Sequence, residues 1–162
     1  MEFHGTILPM VSIRKALATD AAEVAELFIE SQADAIPFVA KLHTPDETRD
    51  FIISNVFVQC DVWVAQEAGR IVGMMAINHS HIDHLYLQPG TYRRGIGTLL
   101  LNRAKALHPN GLTLFAFEAN TRACAFYTHH GFVAVERGDG SGNEAGEPDI
   151  LFEWSAGTSA SR

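Results

Sequence analysis

The stretch QPGTYRRGIGTLL, residues 88–100, sets two arginines among three glycines just before an apolar periodic run. That is chemistry for an anion. Arg93 and Arg94 bring charge and bidentate donors, and Gly95 and Gly97 keep Cβ atoms out of a turn that opens a helix. The free N–H groups of the helix start complete a nest suited to phosphate. A plain helix-entry turn with surface arginines is the alternative reading. There is no GxxxxGK[ST], and YRRGIG lacks the spacing and parallel-strand setting of a dinucleotide fingerprint, so the expected ligand is a different polyphosphate.

Other reactive types cluster nearby. His79, His81 and His84 form H-x-H-x-x-H, but strand alternation sends His84 opposite to the other two unless a bulge intervenes, which disfavours a metal. Asp83 can act as a proton acceptor or simply cap the NHSH turn. Tyr127, on a helical stretch, offers a neutral phenol at pH 7 or packs with a wet hydroxyl. Cys60 and Cys124 have neither CxxC nor Cys/His spacing, and Cys124 has no base spaced for it, so packing is expected. His129 and His130 favour a helix C-terminus.

The elements that must position these residues follow from periodicity and stop signals. A short strand precedes Asp20, the expected N-cap of a helix with Val24, Leu27 and Phe28 on one face. Thr44, Pro45 and two acids start a second helix. Residues 60–89 alternate through breaks at EAGR and NHSH, the pattern of a three-strand meander. A helix to about Leu107, a strand LTLFAFE, a helix from Thr121 to His130 and strands near FVAVE and ILFEW complete the order. Crossovers fall only in the second half, so the expectation is a mixed sheet covered by helices on both faces.

Composition narrows the class. The chain has 162 residues, 47% of them apolar, and no low-complexity tract, which fits one domain over 1–162 with about 1–10 and 156–162 frayed. No apolar run approaches a membrane span, and a net charge of −7 argues against nucleic-acid and membrane-surface partners. A cytoplasmic location is expected from the cysteine usage. Charge is polarised along the chain. Five of the twelve Lys and Arg residues lie between Arg93 and Arg122, and residues 136–153 carry six acids against one Arg.

Two stretches in this order, QPGTYRRGIGTLL after one strand and EANTRACAFYTHHGF after the next, resemble the two core motifs of the GCN5-related N-acetyltransferases (GNAT). The likeness covers nearly the whole chain. It implies an α/β GNAT fold: a mixed, mostly antiparallel sheet of about six to seven strands, splayed in the middle, with helices on both faces. It implies acetyl-CoA as cosubstrate and no metal. The family's Q/R-x-x-G-x-G/A turn falls on Tyr92, Arg93, Arg94, Gly95, Ile96 and Gly97, with Thr98 next; Tyr92 stands where Gln or Arg is usual. The N-x-x-A-x-x-F-Y motif with its following GF is matched by Asn120, Ala123, Phe126, Tyr127, Gly131 and Phe132.

By the same resemblance, the Leu85 amide binds the thioester carbonyl, the Leu87 backbone pairs with the pantetheine arm and Tyr127 donates to the sulfur. Asp83 draws the proton from the amine through water, and His81 shares its face by strand parity. The acceptor is expected between IPFVAKLHTPDE, with Phe38 and His43, and the connection DGSGNEAGEPD, with Asp139, Asn143, Glu144 and Asp149. That connection reads either as a mobile surface loop or as a lid for a cationic acceptor. The implied activity is transfer of acetyl to a primary amine of a small molecule by direct attack through a tetrahedral intermediate. Protein or peptide N-terminal acetylation and a non-catalytic CoA-binding module are the alternatives, and a homodimer is left open.

Overall fold

A computed structural model describes residues 10–158. The expected fraying at 1–9 and 159–162 lies outside the described residues, whereas Ala156–Thr158 forms a 3-10 turn. Seven strands form one sheet in the order β1-β2-β3-β4-β5-β7-β6. They are β1 (Val11–Lys15), β2 (Asp61–Glu67), β3 (Arg70–Asn78), β4 (His81–Leu87), β5 (Leu112–Phe117), β6 (Val133–Gly138) and β7 (Asp149–Trp154). All neighbours are antiparallel except β4 and β5, which are parallel and paired only at His81↔Thr113 and Ile82↔Leu114. Beyond those two rungs the strands part, which is the mid-sheet splay expected of the family.

The meander forms because its breaks permit left-handed backbone. Ala68 and Gly69 have φ of 51° and 78°, the pair a two-residue hairpin needs between β2 and β3. Before it, helix α1 (Ala21–Ala35) is followed by one turn, α2 (Pro37–Ala40), inside the IPFVAKLHTPDE segment. Helix α3 (Pro45–Phe51) starts as its composition dictates: Thr44 accepts from the Glu47 amide, and the Glu47 carboxylate accepts in return from the Thr44 amide. It runs through a π turn at Ile52–Val56 into α4 (Phe57–Gln59). Asp20 sits at the N-cap of α1 as expected, yet makes no side-chain cap bond there. Its carboxylate takes the Leu17 amide at 2.7 Å and pairs with Arg14.

Helices α5 (Ile96–Leu107) and α6 (Thr121–His129) cover the other face. One core therefore joins Ile82, Met75, Leu100, Leu101, Leu114, Tyr127 and Phe152, and the second joins Val24, Phe28, Ile52, Val64 and Met74 under α1. The sheet divides them, and each of its faces is apolar in alternate positions.

A candidate acetyl-transfer site at the splayed strands

The gap between β4 and β5 is built from four sides. The Gln88 amide donates to the Val72 carbonyl of β3 at 2.9 Å. Backbone groups alternate sides along a strand, so Leu87 and Leu85 turn their amides away from β3 and toward the gap. On one face, α1 and α2 bridge the opening: Gln32 Nε2 reaches the Tyr86 hydroxyl at 3.5 Å, and Phe38 meets Phe117 edge to face at 5.1 Å. On the other, α6 brings Tyr127 under it.

A bulge decides which side chains face which way. β3 and β4 pair Ala76 with His84 and then Ile77 with Ile82, so Asp83 is an extra, unpaired residue. Parity consequently reverses there. The expectation that His84 lies opposite His81 is corrected: His81 meets Thr113 Oγ1 at 2.7 Å and Phe115, and His84 packs on Phe28, Phe51 and Tyr86, all on the α1 side of the sheet. Asp83 leans the same way, accepting from Cys60 Sγ at 3.5 Å with His81 Nε2 3.9 Å from its other oxygen. Burial, with Asp83 adding, pushes the Cys60 thiol up to about 12 and keeps it protonated. Burial lowers His84 to about 4, so its imidazole is neutral. Among the described residues, no group of three His, Cys, Asp or Glu side chains is disposed to hold a metal.

Tyr127 is 7% exposed, with its ring against Phe126, Phe132 and Phe152. Burial raises its phenol above the ordinary range, and the nearby Tyr86 and Cys124 add to the rise. Tyr86, on the opposite face of the sheet, is likewise raised by burial. Sequence reading passed over Tyr86, because nothing but its parity with a bulged strand brings it there. The Cys124 thiol is raised by burial and donates to the Phe117 carbonyl at 3.5 Å, as a packed thiol should.

The turn before α5 has the geometry its glycine requires. Gly95 is the N-cap at φ 83°, and a Cβ added there would project into open space. Ile96, Gly97 and Thr98 follow as first-turn residues whose amides have no partner within the helix. Gly97 differs: it is buried, and an added Cβ would meet the Phe126 ring at 3.2 Å and Leu87 at 3.5 Å. Helix packing by itself therefore demands glycine at 97. The two arginines also differ. Arg94 turns back onto β2 in a two-pronged ion pair with Glu67, whereas Arg93 is exposed in left-handed backbone at φ 67°. Tyr92 points away from the nest, its hydroxyl donating to Asp34 at 2.8 Å. Thr98 Oγ1 lies 3.1 Å from His130 Nε2. Asn120 caps α6 by accepting from the Ala123 amide at 3.2 Å.

On the acceptor side, the expected walls touch. His43 Nε2 lies 2.5 Å from Glu144 Oε1, joining the segment before α3 to the β6–β7 connection. That connection is internally bonded: Asn143 Nδ2 donates to the Glu147 carbonyl and to Asp149, and Gly140 is so close to Gly146 that no Cβ fits. Beneath it, Phe115, Phe117, Asn143 and Asp149 line a hollow of about 240 Å³. A larger hollow of about 470 Å³ lies at the far end, where β4 and β5 are still paired and none of these groups is present.

Residues 59–134 match the family model described as an acetyltransferase (GNAT) domain. The chain is 27% identical over 131 residues to the peptidyl-lysine N-acetyltransferase YjaB of Salmonella typhimurium, covering 80% of the chain and 88% of the relative. The solution structure of apo-form YjaB from Escherichia coli superposes with a TM-score of 0.73 at 25% identity, covering 90% and 97% of the two chains. The PaiA N-acetyltransferase from Thermoplasma acidophilum, solved in complex with coenzyme A, superposes with a TM-score of 0.66 at 20% identity over 90% and 99%. The GNAT fold and the acetyltransferase class read from the motifs are therefore those of the protein. No described helix is long and apolar enough to cross a membrane.

Proposed function

We propose that this GNAT enzyme transfers the acetyl group of acetyl-CoA to the side-chain amine of a lysine within a protein. The observation that carries the donor half is the splay itself, with the Leu85 and Leu87 amides turned into it and the Tyr127 phenol beside it. The residues suit the coenzyme: a strand-like pantetheine arm can pair with free β4 amides, and the open Gly95 turn can accept phosphate. The names of YjaB and its kin support lysine as acceptor. They do not support the small-molecule amine expected from the sequence. Phe38, Phe115 and Phe117 offer apolar walls to a lysine stem, and Asp83, Glu144 and Asp149 offer carboxylates to its cation.

Acetyl-CoA supplies an activated thioester carbonyl. The Leu85 amide donates to the carbonyl oxygen as it gains charge, an effect of about 2.7–4 kcal/mol per preplaced donor. Asp83 takes a proton from the lysine ammonium through water; the neutral nitrogen bonds to the carbonyl carbon, and as the C–S bond breaks the nitrogen's second proton passes through solvent to the leaving thiolate. The Tyr127 hydroxyl donates to the departing sulfur. The test is thiol release from acetyl-CoA with an N-terminally blocked lysine peptide, a lysine-free peptide with a free N-terminus, and a polyamine panel. Release with the first supports the reading. Release only with the second, only with polyamines, or with none assigns the chain to N-terminal acetylation, small amines or a binding module.

A further inference from the structure

The mouth of the splay is barred by three side chains from three elements. Asp34, in the last turn of α1, belongs to the roof; Tyr92 belongs to the turn after β4; Arg122, in the first turn of α6, belongs to the floor. Tyr92 donates its hydroxyl to Asp34 Oδ2 at 2.8 Å. The Arg122 guanidinium lies 3.7 Å from the centre of the Tyr92 ring and 3.6 Å from the same carboxylate oxygen. Roof and floor lie on opposite faces of the sheet. They meet only because β4 and β5 have parted, so this contact crosses the way into the gap.

The bar is weak by construction. Arg122 and Asp34 are 51% and 45% exposed at the side chain, and such pairs contribute little in water. A guanidinium seated over a ring is also preorganised to take a second anion in the fork geometry phosphate prefers. Meanwhile Arg94 is committed to Glu67. Resting on the coenzyme reading above, we propose that Arg122 is a phosphate-binding residue of the donor site, held in reserve by Asp34 and Tyr92. The coenzyme enters by replacing the carboxylate with one of its phosphates, and roof and floor separate as it does so.

The experiment is calorimetry with CoA, 3′-dephospho-CoA and pantetheine on wild type, Asp34→Asn, Tyr92→Phe and Arg122→Gln, with thermal melts to show that each variant is folded. Removing the competing anion raises the binding-competent fraction, so Asp34→Asn binds CoA about three- to tenfold more tightly, and Tyr92→Phe moves the same way by less. Arg122→Gln weakens CoA about tenfold, the scale of a charge-assisted bond, and does not weaken pantetheine. Persistence of the Arg122→Gln loss with 3′-dephospho-CoA assigns the diphosphate; its disappearance assigns the 3′-phosphate. Asp34→Asn binding CoA no more tightly than wild type, or Arg122→Gln binding it equally well, overturns the proposal. A wild type that does not bind CoA at all removes the donor-site reading as well.

Discussion

Tyr127→Phe separates the phenol's proton from its ring. The ring is wedged among Phe126, Phe132 and Phe152 at centroid distances of 5.3, 5.6 and 6.1 Å, so phenylalanine fills the same space. Burial holds the phenol above its ordinary value near 10, whereas a free thiol titrates near 8.5. Complete transfer of the phenolic proton to the thiolate is thus uphill by at least ~2 kcal/mol. In the proposed mechanism the phenol acts instead as a hydrogen-bond donor to charge developing on sulfur, worth about 1.5–3 kcal/mol for a charged acceptor. That converts to a fall in kcat of roughly 10- to 150-fold. The assay is single-turnover acetyl transfer at saturating acetyl-CoA and peptide, with CoA affinity measured beside it. An unchanged single-turnover rate assigns Tyr127 to packing. A loss of about 10,000-fold at intact affinity would instead mark full proton transfer and refute the hydrogen-bond argument.

The two glycines of the turn should fail differently. Gly97→Ala pushes a methyl onto Phe126 and costs about 1–3 kcal/mol of stability, partly recovered by adding Phe126→Leu. Gly95→Ala meets no atom but must hold φ 83°, costing about 1–2 kcal/mol in a urea titration, and Gly95→Asn should recover part of it; parallel behaviour of the two sites refutes the assignment. His84, lowered to about 4 by burial, gives stability that is complete above pH 6.5 and lost as pH falls toward 4. Relative to His84→Phe, wild type should lose about 2–3 kcal/mol between pH 7 and 4.5, and parallel urea midpoints across that window would exclude it. Glu144→Gln releases His43 and should raise KM for a lysine peptide up to about fivefold with kcat little changed; added salt should imitate it, and a salt-insensitive KM would not fit.

Local signals wrote much of the fold into the chain. Thr44–Pro45–Asp46–Glu47 starts a helix, Ala68–Gly69 turns a hairpin and the strand count follows from alternation, because each depends on residues within a few positions. What sequence could not supply is long-range. Gly95 and Gly97 read as one device, and only the α6 ring resting on the second divides them. Arg93 and Arg94 read as a pair until Glu67, 27 residues earlier, claims one. Tyr92 and Asp34 are 58 positions apart, and no periodicity relates them.

The bulge at Asp83 has the widest consequence and the least trace in composition. One unpaired residue keeps Ile82, Leu85 and Leu87 together in the core beneath α5 and α6, while His81, His84 and Tyr86 form a row facing α1. Without it, alternation would put Ile82 with His84 and Tyr86, and either the apolar core or the polar row would be broken. The inserted residue also leaves its own backbone outside the β3 ladder just where β4 begins to leave β5. A carboxylate there stands at the head of a row that ends on the Tyr86 phenol, while Tyr127 lies in the core on the other face. Under the proposed mechanism, the amine's proton and the sulfur's hydrogen bond are handled from opposite faces of one sheet. Donor and acceptor chemistry can share the splay without sharing side chains.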